Sequence, residues 1–269
     1  MLSREVIGVA CLGVVWVTAL LVAAAAWQDL RDLLAIRRRA RRAIVGVVVG
    51  GDLAEWSVEQ TGRALDASGD QVIGFHDRGF RSAVLGGRVR AGDDEIDVEA
   101  GDGEVWLDDD RKRDAAACAR AADFDAAYAQ ARKAKGLRRE VRVRVREGEH
   151  VFVVGERSGK RVAAAIVSTL DPAAFCARKA LGFALFIPLE LLACAAATRL
   201  ALSAPHFGRA SVAGAIACLA FFLGVTPLAV SLREGARRPH EAFLRSRWSR
   251  AAVAREPANS REILRSSPR

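Results

Sequence analysis

Reactive motifs are scarce in this chain. The five cysteines, Cys11, Cys118, Cys176, Cys194 and Cys218, form no CxxC pair, and His76, His150, His206 and His240 stand far apart. Structural zinc needs four clustered ligands, so no metal site is expected. "GERSGKR" (155–161) is no phosphate loop: Gly155 and Gly159 enclose three residues, and Arg161 rather than Ser or Thr follows Lys160. "FHD" (75–77) offers a His–Asp pair with no activated Ser or Cys assignable to it. No catalytic residue and no cofactor are expected, and the chain reads as non-enzymatic. Lysine is also rare, five of 41 basic residues. A chain rich in Arg and Ala but poor in Lys suggests a GC-rich bacterial genome.

Apolar runs are abundant. "VIGVACLGVVWVTALLVAAAAW" (6–27) carries no charge and exceeds the ~20 residues that span a bilayer core. "LGFALFIPLELLACAAATRLAL" (181–202) is interrupted by Glu190 and Arg199, and "SVAGAIACLAFFLGVTPLAVSL" (211–232) is uncharged. Three transmembrane helices are expected. The first run has two readings, a cleaved signal peptide or an uncleaved anchor. Arg31, Arg37, Arg38, Arg39, Arg41 and Arg42 follow it, a cluster that resists translocation and favours an anchor with its N-terminus outside. The same rule brings the chain out through the second span and back through the third, ahead of Arg233, Arg237 and Arg238. The expected layout is an anchor over 1–27, a basic juxtamembrane segment over 28–42, a soluble β-rich domain over 43–175, spans over 180–202 and 211–232, and a basic cytoplasmic tail over 233–269. The expected location is a bacterial inner membrane, with the C-terminus cytoplasmic.

Charge follows the same division. Of the net +9, residues 43–175 contribute −4 while the juxtamembrane segment carries +4 and the tail +6. A net acidic domain is a poor phosphate-tracking surface, so nucleic acid is not an expected partner. Anionic lipid headgroups are, at ~1 kcal/mol per basic residue near the surface.

Within the domain, "REVRVRVREGEHVFVVGE" (139–156) alternates Arg142, Arg144 and Arg146 with Val141, Val143 and Val145, a strand with one cationic and one apolar face. Those arginines face either solvent or a headgroup or partner. "AIVGVVVGG" (43–51) is a strand, 52–79 is punctuated by four glycines, and the "GDG" at 101–103 resembles a hairpin turn. Residues 114–135 form one helix, with Ala117, Ala121, Phe124, Tyr128 and Ala131 on one face and Gly136 as its cap. Strands follow at 139–146, 150–155 and about 161–169. Strands, a helix and more strands fit a small OB-like barrel within an α+β membrane protein.

Two further features remain. Glu190 lies near the centre of the second span, where a carboxylate is by default a functional-site candidate; helix–helix glue through Thr18 or Thr226 is the competing reading. "HEAFLRSRWSRAAVAR" (240–255) sets Phe243, Leu244, Trp248, Ala251 and Ala252 near one side of a helix, with Arg245, Arg247 and Arg250 elsewhere. Such a basic amphipathic helix lies at a membrane interface; a disordered cationic tail is the competing reading.

An N-terminal span, a basic segment, a β-rich domain and a returning span resemble the membrane module of the GIDE/MULAN family of E3 ubiquitin ligases. "RRAIVGVVVG", "GDGEVWLDD" and "REGEHVFVVGERSG" ahead of "FCARKALG" carry the resemblance, which covers about 43–202. It implies an interaction domain beside a membrane. The family's ligase activity resides in a C-terminal zinc-binding RING, for which residues 233–269 supply no cysteine. The expected function is therefore a docking or scaffold domain on a multi-pass membrane protein, with a transport or signalling component using Glu190 as the alternative. The residues name no protein partner and no oligomeric state.

Overall fold

The computed structural model describes residues 4–67, 70–118, 123–202, 209–235 and 246–249. The chain divides into two compact units, one of helices (1–43 and 171–237) and one built on β-sheet (44–170 and 238–269).

In the helical unit, α1 runs Arg4–Ala40, α4 Pro172–Leu202 and α5 Arg209–Gly235. The basic juxtamembrane segment is thus no separate element but the last turns of α1. Its residues are good helix formers. The buried positions Val15, Ala19, Ala23, Ala26, Leu30, Leu33 and Ala40 continue one stripe at spacings of three, four and, at the end, seven. Arg37, Arg38 and Arg39 occupy the last turn, where cations complement the helix dipole. Asp171 caps α4, its Oδ1 accepting from the amides of Ala173 (2.8 Å) and Ala174 (3.1 Å), with Pro172 at the first helical position.

Contacts fix the helix directions. The Trp16 indole of α1 donates to the Thr198 hydroxyl of α4 at 3.0 Å, and Asp29 meets Arg233 of α5 at 3.5 Å. Val15, Ala19, Cys194 and Phe221 pack together. Hence α1 and α5 run parallel, and α4 runs against both. The buried face carries Ala, Cys and Phe, whereas Leu181, Leu185, Leu189 and Leu192 of α4 and Val14, Val17, Leu20 and Leu21 of α1 are 55–67% exposed. Two stretches, Leu12–Ala40 and Pro172–Leu200, are long and apolar enough to cross a membrane. Of α5, the apolar stretch among the described residues is Cys218–Arg233.

The second unit is α+β with a curled sheet. Strand β1 (Ile44–Val49) pairs antiparallel with β4 (Gly87–Ala91) and with β8 (His150–Ser158). Strand β4 pairs with β5 (Asp94–Glu99), and β8 with β9 (Arg161–Ser168). Parallel pairing of β5 with β9, at Asp97↔Arg161 to Glu99↔Ala163, closes the ring. The curl needs close backbone approach at β8–β9: a Cβ on Gly155 would lie 2.1 Å from the Ala163 carbonyl oxygen, beside a bulge at Val154/Gly155.

Residues 52–79, obscure in sequence, lie in a long hairpin of β2 (Asp52–Ala67) and β3 (Asp70–Val84). It forms a second sheet, β10-β3-β2-β7, with β7 spanning Leu137–Arg146 and β10 Ser246–Ser249. The main core lies among Leu53, Trp56 and Val58 of β2, the three valines of β7, and inward residues of the curled sheet.

Several expectations are corrected. The β-built unit ends at Leu170, not 175, because α4 starts at Pro172, and it takes in Ser246–Ser249 of the tail. The "GDG" stretch is no hairpin: β5 and β6 (Glu104–Trp106) each pair in parallel with a different half of β9. The helix expected over 114–135 is two, α2 (Asp109–Cys118) and α3 (Phe124–Arg132), because Asp123 starts a new helix by accepting from the amides of Asp125 and Ala126. Ala121 lies outside the described residues. "REGEH" joins two sheets, whereas "GERSGKR" does join paired strands, Ser158 opposite Arg161.

Candidate functional site

The register of β7 against β2 decides what the arginine stripe faces. Arg142, Arg144 and Arg146 sit opposite Ser57, Glu55 and Asp52. Arg144 donates from Nε to Glu55 (2.7 Å) and from Nη1 to Asp52 (2.8 Å), and Arg142 donates to Glu140 at 2.5 Å. Its hydrogen bond with Arg142 holds the Glu140 carboxyl below the usual range, and those with Glu55 and Asp52 raise the Arg144 guanidinium. Arg146 is exposed at the end of the stripe.

The N-terminal arginines are arranged differently. Arg38, Arg39, Arg41 and Arg42 are exposed and Arg37 half-buried, with no ion pair among the described residues. The contacts that set helix direction bring Arg178 and Lys179 of α4 and Arg233 of α5 to the same end of the helical unit. One end of the three helices is therefore cationic.

Glu190 lies on the buried stripe of α4, 2% exposed, one turn from Cys194. Neither carboxylate oxygen has a hydrogen-bond partner among the described residues. The pairings expected from Thr18 and Thr226 are not made: Thr18 donates to the Val14 carbonyl of its own helix at 2.9 Å, and Thr226 is exposed. Between α1 and α4, Trp16 donates to Thr198 instead.

Trp248 is not on an interfacial helix. Ser246–Ser249 is strand β10, paired antiparallel with β3 at Trp248↔Ile73, and Trp248 is 6% exposed. The open edge of β3 takes up these four residues and the core below takes up the indole. The remaining tail residues expected on that helix, Phe243, Leu244, Arg245, Arg250, Ala251 and Ala252, lie outside the described residues.

Around Trp248 is a connected polar cluster of the β unit, which sequence reasoning missed. The Arg139 guanidinium stacks 3.6 Å over the Phe75 ring and 4.7 Å from the Trp248 ring, and Phe75 and Trp248 meet edge to face at 4.7 Å. Arg139 donates to Gln60 (2.9 Å), to the Ala116 carbonyl (3.2 Å) and to the Ser246 hydroxyl; Gln60 donates to Asp77 at 2.6 Å. Burial pulls Arg139 down to about 10, against the opposing charge of Asp77. One signal was available. Arg139 sits at the same parity as Val141, Val143 and Val145, the apolar face of the strand. Lys112 of α2 was also missed; it is fully buried, 5.3 Å from the Trp56 ring centre, and burial lowers its pKa against the charge of Asp109.

Compared with protein-family models, curated proteins and solved structures, the chain matches none.

Proposed function

We propose that this chain is a three-span protein of a bacterial inner membrane whose cytoplasmic domain is a non-enzymatic docking or scaffold module. The observation that carries the layout is the pairing of β10 with β3. The chain leaves the β unit at Leu170 and rejoins it at Ser246, so between them it crosses any bilayer an even number of times. If α4 crosses, α5 crosses back. At 27 residues α5 is ~40 Å long, enough for a ~30 Å core. The exposed leucines and valines of α1 and α4 support a lipid-facing surface, which would be an aggregation liability in water. The cationic end of the helices supports a cytoplasmic domain and an external N-terminus.

The curled sheet is read as an OB-like barrel. Its strands β1, β4, β5, β8 and β9 close five-fold, and both α2 and α3 fall between the third and fourth of them. Arg38, Arg39, Arg41 and Arg42, with Arg37, are the headgroup contacts. Arg142 and Arg144 are engaged by carboxylates of their own domain, so a partner would have to displace those. The GIDE/MULAN likeness enters only as a domain held beside a membrane.

Reporter fusions at residue 130, at the N-terminus and after residue 269 test the layout. The expected result is a cytoplasmic signal from the first and third and an external one from the second. Access of external protease to the middle of the chain in intact cells would overturn it.

Glu190 favours a second reading, a small transport or signalling component, because its carboxyl is buried without a partner among the described residues. Glu190→Gln separates the two. The docking reading expects unchanged assembly and no ion-linked phenotype.

A further inference from the structure

We infer that the edge of β3 at Val72–Phe75 is a peptide-binding slot, filled in one chain by its own Ser246–Ser249 and able to take the same segment from a second copy. The slot has the parts of strand-addition recognition, a backbone edge plus pockets for alternate side chains. The edge is Val72–Phe75, paired in register with Ser249–Ser246. The pockets take residues two apart. Ser246 accepts from Arg139 and donates to Gln60 Oε1 at 3.3 Å, and Trp248 enters a cluster of Ile73, Phe75, Phe124 and Tyr128. Arg247 between them points to solvent. The pattern recognised is Ser-X-Trp in an extended strand.

Two observations favour exchange over a permanent strand. Among the described residues the segment contributes four positions and one large buried side chain, far less than the 15-residue β3 it pairs with. Its fit is incomplete, since the buried indole N–H has no acceptor among the described residues. A second copy in the same membrane carries a ligand of identical fit, and reciprocal exchange of an identical element is a low-cost route to a dimer. Charge agrees, because residues 233–269 carry +6 and residues 43–175 carry −4.

The test uses full-length chains with two different tags, one bearing Val72→Cys and the other Ser249→Cys, a pair that faces in the observed register. After co-expression and mild oxidation of membranes, a disulfide joining the two tags is expected, absent when either variant is expressed alone. A disulfide that forms only in a chain carrying both substitutions overturns exchange between copies. A second measurement leaves the strand intact. A protease site is inserted between Gly235 and Ser246, the purified full-length protein is cut, and a labelled peptide of residues 243–252 is added. Uptake of the peptide only after cutting is expected, weakened at least about ten-fold by Trp248→Ala in the peptide. A cut tail that stays bound on dilution and excludes the peptide overturns the slot.

Discussion

Replacing Trp248 by Ala and by Phe separates what the indole ring does from what its N–H does. The ring is 6% exposed and meets Phe75 edge to face at 4.7 Å with an interplanar angle of 69°. Truncating a buried Trp to Ala removes roughly 3–5 kcal/mol, in which the aromatic pair counts for about 0.5–1.5. Against this stands the indole N–H, buried without an acceptor among the described residues, whose removal returns about 1 kcal/mol, the low end for an unsatisfied neutral donor. The Ala variant should therefore lose about 2–4 kcal/mol. The Phe variant keeps the ring contact and drops the orphan donor, so it should stay within about 1 kcal/mol of the parent. Because β10 stands at the edge of its sheet, the loss should appear first as local opening. Amide exchange across Val72–Phe75 is the direct readout. Acceleration by roughly 30- to 700-fold is expected for Ala, and under about ten-fold for Phe. Equal losses in the two variants would refute the orphan N–H, and an unchanged Ala variant would show that the indole does not dock the strand.

Lys112→Met should be neutral, or stabilising by up to about 2 kcal/mol at pH 7, because it replaces a desolvated charge whose ion-pair partner, Asp109, is largely exposed. The sign with pH follows from the lowered pKa. Between the folded value and the ordinary lysine value the unfolded chain holds more protons, so stability rises with pH, and the Met variant should lose that rise in urea titrations on the alkaline side. Arg144→Ala removes cross-strand ion pairs with Glu55 and Asp52 that are open to water. Its melting temperature should fall slightly, with the difference vanishing at about 1 M salt, and a deficit that persists there would mean the side chain acts through packing.

Elements written in long local patterns were legible in sequence, and elements decided by distant partners were not. The apolar runs of α1 and α4 and the alternation of β7 need only their own residues to be read. The β2–β3 hairpin hid because its glycines look like breaks. Gly62 is instead a place where Phe75 packs close, a Cβ there lying 2.8 Å from its ring. Four residues, Ser246 to Ser249, are too few for period 2 to be told from period 3.6. Their state is set by an unfilled edge on β3, more than 170 positions away in the chain.

The arginines of β7 make the same point about the site. Arg142 and Arg144 attract attention because they repeat, yet their position on the outer face gives them carboxylates on the same sheet and keeps them in water. Arg139 breaks the repeat by occupying a valine position. A guanidinium there is desolvated, which raises the demand for donors' partners on every side, and it finds Gln60, the Ala116 carbonyl, Ser246 and two aromatic faces. Two of those partners, Ser246 and Trp248, come from the tail. The residue that ties the returning chain to the domain is thus the one whose parity is wrong for a solvent-facing arginine, and a scan confined to the outward stripe would pass it by.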